Sequence, residues 1–407
     1  MQKIKIPWSD NWWIENEKAW FCAGEIGALF CADMVKLNCE FVARIPECDA
    51  VHFRRYSYCV KHRNEIYCLP VEGSIISYYN IESKQWKKID INSKKSIWIS
   101  IASYNPDYDI IWLVEDVTGK IFEINLNKNT VENEYQIPND EKAIVGEYAA
   151  VEDKIYGVIG NHVYCIGQGG INIYDIPEVK AGLYTICYDG YNFWLSGYCK
   201  EIYVWNPEQG IIKVISEFPG QFGFYHFDSK ENHIVDRNSF FSVEYAFFID
   251  SISLGKYIWF IPFRSDEIVY VEKETYEVHL LEVKEETETK ESIERHILDH
   301  KYLVQYMREN RYIGIYSLRN GSIFEIDTVS LCMKKQDYAL SDKAIGSIAR
   351  EILKDQNKNQ KVYKEKREYD QELLLEMLFE IDHEKTESRL HNVGSVIYHT
   401  LNEPDKC

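Results

Sequence analysis

The chain has 407 residues and a formal charge of −19, from 46 Lys and Arg against 65 Asp and Glu. Such a field repels phosphate backbones, which argues against nucleic acid as a partner. Apolar residues at 45% and charged ones at 27% are enough to bury a core. The longest apolar runs, such as Tyr245 to Ile249, fall far short of the roughly 20 residues a bilayer helix needs, so no membrane span is expected.

In chain order, Met1 to Asp10 lacks the apolar region and small-residue cleavage site of a secretory signal. It includes Ile-Lys-Ile-Pro, which resembles the strand-end sequences at Ala43 to Pro46 and Gln136 to Pro138. It could therefore be an outer strand that closes a ring by joining the last repeat; the competing segment for that slot is Leu331 to Lys335.

A repeat follows. From Trp112, nine residues on comes Ile121, thirteen on Asn125 and nineteen on Val131. The same ruler from Tyr67 gives Ile76, Asn80 and Trp86; from Trp259, Ile268, Glu272 and Val278; from Trp20, Leu29, Asp33 and Cys39. From Gly314 it gives Ile323, Asp327 and Met333, and from Trp194, with one residue deleted, Ile202, Asn206 and Ile212. A degenerate copy starts at Tyr156, with Gly167 near the polar station. The runs are short, alternate in polarity and are rich in Ile, Val, Tyr, Phe and Trp, which predicts strands. Turn signals such as Asp189-Gly190 and Gly255-Lys256 precede the anchors. Four strands per unit and seven units predict an all-β fold, a seven-bladed β-propeller with its aromatic anchors buried between blades. Trp12, near the chain start, is expected to matter less to stability than Trp112.

The stretch Tyr79-Asn80-Ile81-Glu82-Ser83-Lys84-Gln85-Trp86 resembles kelch-like propellers, with an aromatic, a polar residue and a tryptophan six residues later. That family's paired glycines are replaced here by Leu69-Pro70, Val114-Glu115 and Ile261-Pro262. The resemblance covers roughly residues 3–338 and implies fold only.

Beyond Tyr338 the apolar period changes to about 3.6. Ile345, Ile348, Ala349, Ile352 and Leu353 form one stripe of a helix opened by Ser341 or Asp342, and Leu373 to Phe379 and Leu390 to Leu401 mark two more. The expected domains are a propeller over 1–338 and a helical C-terminal extension over 339–407. The helices either pack on the propeller rim or form a partner-binding arm.

Two connections break the rhythm. Glu282 to Arg295 is acidic and reads as a solvated excursion. Glu217 to Asp250 mixes aromatic and titratable side chains, and its Phe222 to Asp236 part is the candidate lid over one end of the channel. The candidate ligand-binding residues are Phe222, Phe224, Tyr225, His226, Asp228, His233 and Arg237. His226 and Asp228 share a side of an extended strand, which suits a ligand pair, an acid/base pair or a buried polar contact.

No nucleophile elbow, phosphate loop or zinc-protease motif is present in the sequence, and Gly167 to Gly170 reads as a turn. The 11 cysteines are scattered without Cys-x-x-Cys spacing, as small buried hydrophobes in a reducing cytoplasm would be. Neither a metal nor a cofactor is expected, and no catalytic residue is assigned. The function expected is a non-catalytic binding or scaffold protein whose propeller loop face holds a protein, peptide or glycan. The alternative is an enzyme acting on a small carbohydrate or peptide at the channel mouth, with His226, Asp228 and His233 as its acid/base or metal group.

Overall fold

The polar station of the repeat is the cap of a tight turn. Asp33 Oδ1 accepts from the backbone N–H of Val35 and Lys36 at 3.1 and 2.9 Å, and Asn125 Oδ1 accepts from those of Asn127 and Lys128 at 3.0 and 3.1 Å. Asp327 Oδ1 does the same for Val329 at 3.0 Å. These are Asx turns, in which a short side chain stands in for a backbone acceptor. Four residues after six of the seven stations the chain passes through positive φ, at Leu37, Lys84, Asn129, Gly210, Tyr276 and Leu331. Only one of these is glycine, so the cap must hold side-chain-bearing residues in the left-handed region.

The computed structural model describes residues 6–46, 48, 55–91, 99–115, 119–138, 145–220, 222–223, 226–228, 233–235, 246–263, 265, 267–283, 301–318 and 321–359. Blade 1 contains β1 (Trp13–Glu15), β2 (Lys18–Cys22), β3 (Ala28–Asp33) and β4 (Asn38–Arg44); blade 2 contains β5 (Tyr56–His62), β6 (Glu65–Pro70), β7 (Ile75–Asn80) and β8 (Gln85–Asp90). Blade 3 is β9 (Ile99–Asn105), β10 (Ile110–Glu115), β11 (Lys120–Asn125) and β12 (Thr130–Gln136); blade 4 is β13 (Val145–Val151), β14 (Lys154–Ile159), β15 (His162–Gly167) and β16 (Gly170–Asp175). Blade 5 is β17 (Leu183–Tyr188), β18 (Phe193–Gly197), β19 (Ile202–Asn206) and β20 (Gly210–Ile215), followed by a separate hairpin of β21 (His226–Asp228) and β22 (His233–Val235). Blade 6 is β23 (Phe248–Leu254), β24 (Tyr257–Pro262), β25 (Glu267–Glu272) and β26 (Val278–Glu282). Blade 7 is β27 (Tyr302–Arg308), β28 (Tyr312–Ser317), β29 (Ser322–Asp327) and β30 (Cys332–Gln336); β31 (Ala339–Leu340) and the helix α1 (Asp342–Asn359) follow. Each blade is an antiparallel meander, and the seven form the ring of a β-propeller.

The anchors explain the ring. Tyr67, Trp112, Trp194 and Trp259 are fully buried on second strands, each in an apolar cluster shared with the following blade. Trp20 and Tyr156 are half-buried. Gly314 has no ring of its own, and Tyr306, its cross-strand partner, fills the station: a Cβ on Gly314 would lie 2.3 Å from that ring. Trp12 corrects the expectation of a minor role. It is buried, stacked on Phe21 at 4.9 Å and edge-on to Tyr338 at 5.0 Å.

The first and last described segments meet at blade 1. The outer strand of blade 7 is β30, which occupies the slot that an N-terminal strand could have taken; residues 1–5 lie outside the described residues. The segment after them is wedged between the inner strands of blades 7 and 2. On one side Gln305 Nε2 donates to Ser9 O at 2.7 Å and Trp12 N donates to Gln305 O at 2.6 Å. On the other, Asn11 Nδ2 donates to Cys59 O at 2.8 Å and Asn11 Oδ1 accepts from Cys59 N at 2.7 Å. At the rim β31 pairs in parallel with β4, Ala339 opposite Asn38. Ser341 Oγ caps α1 by accepting from Ala344 N at 3.1 Å. The helix packs on the rim through Ala344 and Ile348, and Arg44 forks onto Asp355 with two 2.6 Å bonds. The two further helices expected beyond it lie outside the described residues.

Candidate functional site

Because every blade is an antiparallel meander, its connections alternate between two ends of the ring. Turns from first to second and third to fourth strands open on one face, which we call the turn face. Connections from second to third strand, and from each outer strand to the next inner one, open on the other. The long connections, 45–55, 91–98, 137–144, 216–247 and 283–301, are all of the outer-to-inner kind and share this connection face.

The inner strands begin at that face, and six of them carry a β-bulge. The register skips Ser57 in β5, Ser100 in β9, Gly146 and Glu147 in β13, Tyr184 in β17, Ile249 in β23 and Gln305 in β27. A bulge frees a residue from the ladder and turns its side chain. Gly146 is needed where it stands, since a Cβ there would lie 2.4 Å from Tyr184 O on the neighbouring inner strand.

Four groups near these bulges feel one another's charge. Burial pushes the Glu147 carboxyl well above its usual range, and the charges of Asp250 and Asp10 push it further. Burial raises Asp250 to about 7. Burial also raises the Tyr58 phenol, with Glu147, Asp250 and Asp10 adding to the effect. Asp10, Tyr58, Glu147 and Asp250 come from blades 1, 2, 4 and 6, so they can be mutual neighbours only across the central axis. Each is half-buried. The channel mouth is thus an electronegative ring in which burial raises Glu147 and Asp250 and the neighbouring carboxylates raise Glu147 further. Chemically, such a ring can accept a cationic group, or hold a proton near neutrality and release it.

Of the candidates taken from sequence, Phe222 is fully buried between blades 5 and 6, stacked on Phe248 at 5.5 Å. Its carbonyl accepts from Lys200 Nζ at 2.5 Å. Phe224, Tyr225 and Arg237 lie outside the described residues. His226, Asp228 and His233 belong to the hairpin β21–β22, whose register sets Asp228 opposite His233 and His226 opposite Val235. The channel residues Asp10, Tyr58, Glu147 and Asp250 carried no local motif; the signal available was their place just ahead of or within the inner strand of a repeat. The glycine-rich stretch at Gly167 is a two-residue hairpin turn between β15 and β16, with Gly170 at φ 101°. Among the described residues, no three His, Cys, Asp or Glu side chains form a group that could hold a metal ion, and no helix is long and apolar enough to cross a membrane.

No family model matches the chain, and no curated protein matches it in sequence. Among solved structures, selenomethionine-substituted virginiamycin B lyase from Staphylococcus aureus is similar over 78% of this chain and 96% of its own, with a TM-score of 0.56 and 12% sequence identity. The likeness is one of fold. The computationally designed Ika8 protein aligns over 83% of this chain and 89% of its own, with a TM-score of 0.47 and 10% identity.

Proposed function

We propose that this propeller is a binding protein whose connection face holds a protein or peptide partner, with a basic side chain of that partner seated in the electronegative channel mouth. The observation that carries this reading is the convergence of Asp10, Glu147 and Asp250 on the axis at the bulged ends of the inner strands, the end that also bears every long connection. A cation entering there replaces carboxylate repulsion by attraction in a partly desolvated site, where charge pairs are stronger than in water. The Phe222 to Asp236 segment belongs to the same reading as a cover over the mouth. Tyr225 and Phe224 would supply stacking area, and His226, Asp228, His233 and Arg237 the few polar contacts that fix orientation. The repeat at Tyr79 to Trp86 supports kinship with kelch-like propellers, and the unpaired spacing of the cysteines supports a reducing, cytoplasmic location. Neither nucleic acid as a partner nor a membrane span is expected.

The second reading is an enzyme acting on a small carbohydrate or peptide at the same mouth. It is favoured by the pair Glu147 and Asp250, one of which can carry a proton near neutral pH while the other is ionised. The staphylococcal propeller's name as a lyase adds nothing to it at this identity. One experiment separates the two: binding and turnover of candidate basic peptides by Tyr225→Ala, Asp228→Asn and Asp250→Asn. A binder loses affinity most in Tyr225→Ala and Asp250→Asn and shows no turnover at any stage. Turnover abolished by Asp228→Asn or Asp250→Asn establishes the enzyme instead.

A further inference from the structure

The scattered cysteines are not scattered in space. Cys22, Cys48, Cys59 and Cys68 are all buried in one cluster between blades 1 and 2. Cys59 and Cys68 stand directly opposite each other on β5 and β6. The N–H and C=O of Cys59 are both bonded to the Asn11 side chain, so both point away from β6. Cys59 and Cys68 are therefore a non-hydrogen-bonded antiparallel pair. Counting from the two-residue turn that His62 and Glu65 close gives the same result, because the pairs alternate. In such pairs the Cα atoms approach to about 4.5 Å, inside the range a disulfide spans. The Cys22 thiol, from blade 1, is within hydrogen-bonding reach of both, while Cys59 Sγ donates to Trp20 O at 3.0 Å.

We infer that Cys59 and Cys68 are an oxidisable dithiol, a modification site at the ring's closing seam, with a low-molecular-weight disulfide of the glutathione class as oxidant. A thiolate of the pair attacks that disulfide and expels one thiolate, leaving a mixed disulfide on the protein. The second cysteine, deprotonated, attacks the protein-side sulfur, forms the S–S bond and expels the other thiolate. Two thiols are oxidised, one small disulfide is reduced to two thiols, and the two protons end on them. Burial raises the thiols of Cys22, Cys59 and Cys68, so all are protonated and shielded while the ring is closed. The gate is the contact between blades 1 and 2, where Cys59 Sγ meets Trp20 O and Cys22 lies against both thiols. Asn11, bonded to the Cys59 backbone, ties the N-terminal segment across that seam, and parting the seam exposes the pair. The oxidised pair then ties β5, the strand that receives Asn11, to β6.

The test incubates the full chain with oxidised glutathione, alkylates free thiols in denaturant, and maps tryptic peptides without reduction. The expected product links Tyr56–Lys61 to Asn64–Lys84 through their cysteines and is reversed by dithiothreitol. Linkage of Cys59 to the Cys22 peptide Ala19–Lys36, or both Cys59 and Cys68 recovered alkylated after the exposed Cys332 is fully glutathionylated, overturns the assignment. Asn11→Ala should oxidise about tenfold faster, since two hydrogen bonds hold the gate. If that variant does not fold, the wild type is followed in sub-denaturing urea; acceleration is expected, and a rate independent of urea overturns the gate.

Discussion

The turn face and the connection face of this ring are built from different materials. On the turn face, the side chain at the polar station caps a four-residue reversal in five blades, through Oδ1 of Asp33, Asn80, Asn125, Asn206 and Asp327. On the connection face the connections differ in length and sequence, and six of the inner strands beneath them are interrupted by bulges. The first arrangement is favoured locally, by hydrogen bonds made within a few residues. The second is set by the ring as a whole, which gathers carboxylates from blades 1, 4 and 6 that no local force brings together. Stability resides in the repeated parts, and the proposed binding site lies where repetition stops.

This contrast can be broken by substitution. Trp259→Ala, at a fully buried anchor shared by blades 6 and 7, should lower unfolding free energy by about 3 to 5 kcal/mol, read from the denaturant midpoint. A loss below about 1 kcal/mol would mean that the anchors do not hold the blades together. Asn11→Ala leaves the Cys59 N–H and C=O without their side-chain partner at the seam and should cost about 2 kcal/mol. On the turn face, Asn125→Ala should cost about 1 kcal/mol through loss of one cap. A cost there as large as at Trp259 would contradict the local character assigned to these turns.

A further expected effect is one of pH. Asp250 and Glu25 are pushed up by burial to about 7 and about 8, so between pH 4 and those values the folded chain holds protons that the unfolded chain has released. Their contribution is fully present below pH 4 and is lost as pH rises through 7 and 8. Without ligand, the melting temperature should therefore fall between pH 5 and 8, and Asp250→Asn should flatten part of that slope. A slope of opposite sign would show that these carboxyls are paired with cations.

Much of the turn face is readable in the sequence because its causes are local. Asp33, Asn80, Asn125 and Asp327 stand at a fixed distance from the anchors because each must reach N–H groups two or three residues ahead. Trp12 escaped because it precedes the ruler's first anchor, and its burial depends on Tyr306 and Tyr338 from the far end of the chain. The glycine at the Gly314 station is likewise explained only by Tyr306 across the ladder. On the connection face the sequence offers gap lengths and aromatic content, which direct attention to Phe222 to Asp236. It offers nothing that joins Asp10, Glu147 and Asp250, since only the closed ring makes them neighbours. Phe222 shows the ambiguity of aromatic content: the same ring suits a lid or a core, and here it is packed on Phe248.

The most direct test of the central claim is calorimetric titration of the wild type and the double variant Glu147→Gln, Asp250→Asn with an arginine-containing peptide and its citrulline counterpart at pH 6 and 8. The account predicts binding of the basic peptide alone, tighter at pH 8 because the carboxyls are then ionised, and at least about tenfold weaker in the double variant. Equal affinity for both peptides, or an affinity that the double variant leaves unchanged, would contradict it.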